Sequence, residues 1–398
     1  MSARSWVMLV NWQEVYLPCA TSIYAVRSSV HSCFFGLPLI LHLEVELSSL
    51  KLSRVNVMNS IQEDSKQYDY IICGYVGVAQ SIGEISANDT SGGTAGCVIA
   101  RRLAEDPNAS ILLLEAGKSK EDVPASAIPA AVSQILGTDA DWNIQSEPCA
   151  ELNNRQLHLG RGKFVGGSSG CNGTLCIRGV PQDYDDWGVE GWSGSEMFAY
   201  MKKSEKFQNK DWFEAAYSEH GQDGPLTTAP HDPAPISSRV LESFQSKGLP
   251  LKPDMFTTGD TAQGCGHAVR SIHKGVRTTS FEYIGSNQSY PNIEILVGQF
   301  VDKVILDERG HELVAVGVQL RNASGKESRI DAKQEIILAS GTYGSPTVLL
   351  RSGIGPKSEL EALGITTKVD LPGVGKNLMD HLVSLQYDLI TRVQFADW

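Results

Sequence analysis

Short continuous apolar runs separated by patterned segments organise the chain. "YDYIIC" (68–73) and "SILLLEAG" (110–117) have the pattern of parallel strands buried on both faces. Between them, "GGTAGCVIARRLAE" (92–105) sets Ala95, Val98, Ile99 and Leu103 at helical spacing, and Asp106-Pro107 ends the run. Strand, helix and strand predict a βαβ unit. A further apolar run, Glu335 to Ala339, predicts another buried strand with Gly341 close behind it. Ser345-Pro346 predicts the start of a helix and Gly353 its end. Residues 301–330 alternate apolar and polar around Asp307-Glu308-Arg309-Gly310 and Asn322 to Gly325, which predicts an antiparallel meander.

Between Gly74 and Gly92 the βαβ unit is interrupted by seventeen residues, 75–91. With these set aside, Gly74-Gly92-Gly93-Thr94-Ala95-Gly96 reads G-x-G-x-x-G, and Glu115 follows nineteen residues past Gly96. That is the pattern of a dinucleotide turn. Gly74 makes the turn, Gly93 lets backbone approach a pyrophosphate, and Gly96 lets helix pack on strand. Glu115 stands where an acid accepts hydrogen bonds from an adenosine ribose, and the helix N-terminus offers amides to the phosphates. Two explanations fit the interruption. A retained short intron is favoured: the codons of Gly74-Tyr75-Val76 can spell a donor, those of Ala87-Asn88 a branch point, and that of Ser91 an acceptor. The other is a genuine loop.

The 398 residues, 41% hydrophobic, allow a sizeable core and two domains. A net charge of −12 without any basic stripe argues against nucleic acid and an anionic membrane surface as partners. Eight scattered cysteines form no CxxC pair, and nine histidines show no ligand spacing, so no metal site is expected. The apolar stretches before Met58 make neither a convincing signal peptide nor a membrane span. A cytoplasmic protein is expected, with residues 1–57 disordered and dispensable.

Two further stretches are more specific. "GRGKFVGGSSGCN" brings glycines, Ser168, Ser169 and Asn172 into one loop, and "GTYGSPTVLLRSGIG" follows the Glu335–Ala339 run. With the paired-glycine turn, "ILLLEAG", "DADWNIQSEP" and "LPGVGKNLMDH", they make residues 68–390 resemble the glucose–methanol–choline (GMC) family of FAD-dependent oxidoreductases. The resemblance implies an α/β fold: an FAD-binding Rossmann-like domain with a parallel sheet and an antiparallel meander, plus an incomplete substrate domain. It divides the chain into a non-family extension (1–57), a first FAD-binding part (58–205), a substrate-side insertion (206–290), a second FAD-binding part (291–385) and the start of a truncated substrate-domain sheet (386–398).

By position, Gly74, Gly93 and Gly96 would hold the FAD pyrophosphate and Glu115 its ribose. Gly167, Ser168, Ser169 and Asn172 would face the flavin side. Val301 would meet adenine through its backbone, and Gly341 would border the nucleotide. Where some members carry a histidine that bonds FAD, this chain has Cys171, which implies non-covalent FAD. Cys171 itself is expected to be a packed residue. His220, His231, His267 and His273 are expected to be surface or packed residues. The family's catalytic histidine matches no residue here, and His381 belongs to a different family position, so no catalytic residue is assigned. The implied activity is oxidation of a small-molecule alcohol to a carbonyl, with oxygen or another acceptor reoxidising the flavin, in a chain whose truncation leaves it impaired. The alternatives are a non-redox FAD lyase or cyclase of the same family, and an inert product of a truncated or mis-spliced gene.

Overall fold

Ile111 to Leu114 have no exposed surface, so this run is covered on both faces, as its composition predicts. It belongs to a nine-stranded sheet in the computed structural model of the chain. The structure describes residues 67–74, 92–285, 290–322 and 324–380, with the backbone of three strands at 6–12, 21–27 and 56–58. In chain order the strands are β1 (Trp6–Trp12), β2 (Thr21–Arg27), β3 (Asn56–Met58), β4 (Gln67–Cys73) and β5 (Ile111–Leu114). They continue with β6 (Ile293–Leu296), β7 (Gln299–Arg309), β8 (Glu312–Asn322) and β9 (Glu327–Leu338). The sheet runs β7-β8-β9-β4-β5-β6-β3, with β1 paired to β9 and β2 to β1.

β4, β5 and β6 are parallel to one another and to the last part of β9. β7, β8 and the first part of β9 form the antiparallel meander that the alternation at 301–330 predicts. One difference is topological. The apolar run from Glu335 does not start a new strand but continues the third meander strand, through an irregularity between Ala332 and Glu335. A single strand therefore carries the chain from the meander into the parallel sheet.

The side-chain alternation of a strand sorts the apolar runs into two cores. Ile71, Leu112, Leu114, Ile336 and Leu338 face one side, against Val348 and Leu349 of helix α2 (Gly341–Arg351). Ile72, Ile111, Leu113 and Ile337 face the other, against Ala95, Cys97 and Ala100 of helix α1 (Thr94–Leu103). The face α1 buries is thus its small one, while Val98, Ile99 and Leu103 are only half-buried. Gly96 explains the close fit: a Cβ there would lie 3.3 Å from Leu113 Cδ1 and 3.5 Å from Ile72 Cγ2. α2 begins at Gly341 rather than at Ser345-Pro346, so Pro346 lies inside it. Ser345 instead turns its hydroxyl back to accept from the Ser340 amide at 3.0 Å. Gly353 follows the helix end with φ +81°, as its position predicts.

Within 1–57, where disorder is expected, two strand segments join the sheet, and a third begins at Asn56 and runs to Met58. β1 pairs parallel to β9 from Trp6↔Glu335 to Leu9↔Leu338, β2 returns antiparallel along β1, and β3 pairs parallel to β6. The interruption 75–91, His381 and the stretch 386–398 lie outside the described residues. Among the described residues no helix is long and apolar enough to cross a membrane.

A second, four-stranded sheet has the order Leu175–Cys176, Val269–Arg270, Leu226–Pro230, Glu205–Phe207. Its last strand straddles the boundary expected at 205/206. Beneath it, His220 is wholly buried and stacks on Phe207 at 3.5 Å. Its Nδ1 lies 3.0 Å from Glu205 Oε2 and its Nε2 2.9 Å from Asp254 Oδ2. Arg178 Nη2 donates to the same Glu205 oxygen at 2.8 Å, and Thr228 Oγ1 donates to the other at 2.6 Å. Only an imidazolium satisfies two carboxylates, so two cations and two anions balance inside the protein. The other three histidines are simpler: His231 is exposed, His267 packs edge-on against Trp212, and His273 is half-buried.

Burial opposes charge on His220, but the hydrogen bonds and charges of Asp254 and Glu205 outweigh it and raise its pKa above the ordinary 6.5. Burial likewise opposes charge on Glu205, yet the hydrogen bond and charge of His220, then Thr228 and Arg178, lower its pKa below 4.5. The sign follows by linkage. His220 contributes stability that is full below about pH 6.5 and is lost as pH rises through its raised value. Glu205 contributes stability present above about pH 4.5 and lost as pH falls through its lowered value. We expect His220→Gln to cost roughly 3–5 kcal/mol at pH 6, because it leaves buried carboxylates underpaired, and less at pH 9. Calorimetric melts of both proteins across this range test it; a deficit that does not shrink with rising pH refutes the charged pairing.

Candidate functional site

The carboxyl ends of β4, β5 and β9 converge with two glycine-rich loops. Buried Gly74 follows β4, and buried Gly92 and Gly93 lead into α1. Gly93 is the N-cap of α1 and supplies no side-chain cap, and the first turn carries no acid. The opening amides of a ten-residue helix, with its positive dipole end, are thus left for an anionic group. Thr94 does not cap either. Its hydroxyl donates to the Gly166 carbonyl at 3.4 Å and accepts from the Ser169 amide at 3.1 Å.

Those bonds join the first loop to the second. The Gly166 amide donates to the Gly92 carbonyl at 2.8 Å. Gly166 and Gly167 have φ of +99° and +51°, and a Cβ at Gly167 would sit 2.9 Å from Gly93 Cα. A side chain there would force the loops apart, so glycine is required both by conformation and by contact. Ser169 is buried; its hydroxyl donates to the Gly166 carbonyl at 2.6 Å and accepts from the Ser280 amide at 3.0 Å. Ser168 Oγ accepts from the Gly162 amide at 3.2 Å. Asn172 is buried at the end of the loop. Cys171 packs with Val123, Ile135, Ala140 and Phe164, as expected of a packed residue.

Glu115 follows β5 with no exposed surface. Its Oε1 accepts from the Gly117 amide at 2.7 Å, while its Oε2 makes no well-formed hydrogen bond among the described residues, with only a weak pull from the Gly92 amide. Burial pushes the carboxyl well above the ordinary range, against the opposing pull of the Gly117 and Gly92 amides and the Lys163 charge. Gly92 lies beside it: a Cβ there would be 3.5 Å from Oε2. An orphaned buried carboxyl oxygen next to an uncapped helix N-terminus suits a ligand that carries both hydroxyls and phosphates. The residues present fit a dinucleotide.

The two remaining positions flank this centre. The Ala339 amide and the Ser340 hydroxyl donate to the Cys73 carbonyl at 2.6 and 3.2 Å, which sets Gly341, φ +76°, beside the end of β4. The Gln299 amide donates to the Glu115 carbonyl at 3.0 Å, and Val301 follows two residues later with its side chain wholly in the core. Such a residue can offer a ligand only its backbone. A groove of about 650 Å³ lies elsewhere, between the meander and α2, and shares none of these residues.

Sequence reasoning missed the supports of the site. Thr94, Lys163, Arg277 and Ser280 carry no periodic signal, and the last two lie in a segment read as substrate-side. Thr94 could have been found, since it stands inside the glycine turn itself.

Known proteins resemble this chain in sequence and in fold. Residues 89–383 match the family described as GMC oxidoreductase. The oxygen-dependent choline dehydrogenase of Photobacterium profundum is 35% identical over 329 residues, covering 80% of this chain and 53% of that protein. Among solved structures, a formate oxidase aligns with a TM-score of 0.70 at 30% identity, over 80% of this chain and 53% of its own. An FAD-dependent oxidoreductase from Chaetomium thermophilum aligns with a TM-score of 0.67 at 30% identity, over 77% and 51%. This chain therefore spans about half the length of the curated relatives it matches. A match across most of the chain, on a sheet and two joined glycine loops of the expected kind, means that it belongs to the GMC oxidoreductase family.

Proposed function

We propose that this chain is the FAD-binding portion of an oxidoreductase that converts an alcohol CH–OH group to a carbonyl. The observation that carries the reading is the orphaned Glu115 carboxyl beside the uncapped start of α1, hydrogen-bonded through Gly92 and Thr94 to the Gly166–Asn172 loop. In this reading Gly74, Gly93, Gly96 and the first amides of α1 hold the pyrophosphate, and Glu115 accepts from the ribose hydroxyls. Gly167, Ser168, Ser169 and Asn172 line the flavin side, while Val301 and Gly341 border the adenosine. Bound FAD supplies a hydride acceptor; this chain's residues bind and orient it. Attachment is non-covalent in this reading, because Cys171, packed with Val123, Ile135, Ala140 and Phe164, stands where some members carry the histidine that bonds FAD. The substrate is a small-molecule alcohol and the final acceptor is oxygen or another oxidant. We assign no residue of this chain as the base.

A second reading is favoured by the break between Gly74 and Gly92: a chain of this family that takes up FAD poorly and turns nothing over. Purification with added FAD separates the two. Stoichiometric flavin absorbance, bleached anaerobically by an alcohol, supports the first reading. Flavin retained but never bleached leaves binding without oxidation, and no retained flavin supports the second.

A further inference from the structure

Asn172, 4% exposed, uses its side-chain oxygen twice. Oδ1 accepts from the Thr174 amide at 2.9 Å and from Arg277 Nη1 at 2.7 Å. Arg277 Nη1 also donates to the Asn172 carbonyl at 2.8 Å, and Nη2 donates to the Pro129 carbonyl at 3.1 Å. The arginine is 1% exposed and comes from the short strand Val276–Arg277, about a hundred residues further along the chain. An amide held this way cannot turn over, because rotation would set its NH₂ against two donors. What Asn172 has left is Nδ2, and no described residue accepts a hydrogen bond from it.

Three residues further on, Ser280 braces the other end of the same loop. Its amide donates to Ser169 Oγ at 3.0 Å and its hydroxyl to the Gly166 carbonyl at 3.2 Å. Residues 277–280 therefore grip the glycine loop at both ends. We propose that Arg277 is a positioning residue: it fixes Asn172 as a hydrogen-bond donor, never an acceptor, toward an electron-rich atom of the ligand. The ligand is FAD on the function proposed above, and this assignment rests on that function.

The test uses the full chain, FAD titrations followed by flavin fluorescence, and thermal melts of the chain without FAD. Asn172→Asp keeps an oxygen for Arg277 and for the Thr174 amide but replaces the donor with an acceptor. It should melt no lower than the parent and bind FAD about tenfold more weakly. Arg277→Met frees the amide and should weaken FAD by a similar factor, with Arg277→Lys, the milder variant, in between. Because Arg277 acts through Asn172, Asn172→Ala with Arg277→Met should bind FAD no worse than Asn172→Ala alone. Parent-like FAD binding by Asn172→Asp, or losses that multiply in the double variant, overturn the proposal. If the parent itself takes up no FAD, the functional reading fails, and the melts still judge the clamp. A double variant that melts with the larger single shift supports it, and simple addition of the two shifts overturns it.

Discussion

A chain lacking residues 75–91 binds FAD at least about tenfold more tightly than the full chain. The argument starts at the two ends of the break. Gly74 ends a strand locked between β5 and β9, and Gly92 is held by the Gly166 amide at 2.8 Å, so both ends are fixed by the fold. Holding the ends of a seventeen-residue segment together costs roughly 2.5 kcal/mol plus a constant, and that cost falls on folding because both ends are fixed before any ligand arrives. A single glycine at the break instead lets Gly74, Gly92 and Gly93 turn as one unit, with their amides directed at the pyrophosphate. Tenfold corresponds to about 1.4 kcal/mol, no more than one charge-assisted hydrogen bond from an amide to a phosphate contributes. Fluorescence titration of both chains measures it. Equal affinities would mean that the interruption leaves the phosphate turn intact, and transcripts that all carry the segment would exclude a retained intron.

Glu115→Gln moves stability and binding in opposite directions. In the unliganded chain the carboxyl is buried with one oxygen unpartnered, and burial raises its pKa well above the ordinary 4.5. For a group raised on folding, stability is full below about pH 4.5 and is lost as pH rises through the folded value. The amide carries no such penalty, so the variant should melt higher than the parent at pH 8.5 and close to it at pH 4.5. Ribose hydroxyls that donate to a carboxylate lose a charge-assisted bond, worth about 1.5–3 kcal/mol, so FAD should bind roughly 10 to 150 times more weakly. Melts at the two pH values and one FAD titration decide the matter. A variant that is less stable and binds equally well would make Glu115 a packing residue.

The parts legible in the sequence are those whose signal is local. Ile111–Leu114, the α1 pattern and the turns at Gly310 and Gly325 announce themselves within a few residues of their own neighbours. The glycine loops were legible through spacing and composition, whereas the contact that bars a side chain at Gly167 where it meets Gly93 is visible only in the fold. What escaped was set by contacts distant in sequence. Arg277 reads as one more charged residue in a polar stretch until the fold brings it to Asn172. His220 reads as a surface or packed histidine, and nothing near it in sequence announces that Glu205 and Asp254 close on its two nitrogens. The early start of α2 was missed for a different reason: Ser345-Pro346 is a sound local start signal, but the end of β9 and Gly341 redirect the chain sooner.

The pairing of β1 with β9 has a consequence for synthesis on the ribosome. Trp6 emerges first, and Glu335, its partner, follows roughly 330 residues later. At 5–20 residues per second the nascent segment "WVMLVNW" waits on the order of 15 to 65 s for the edge it will occupy. Chaperones that bind exposed apolar segments thus have access to this segment throughout that wait, and crowding by neighbouring nascent chains is hazardous to it for as long.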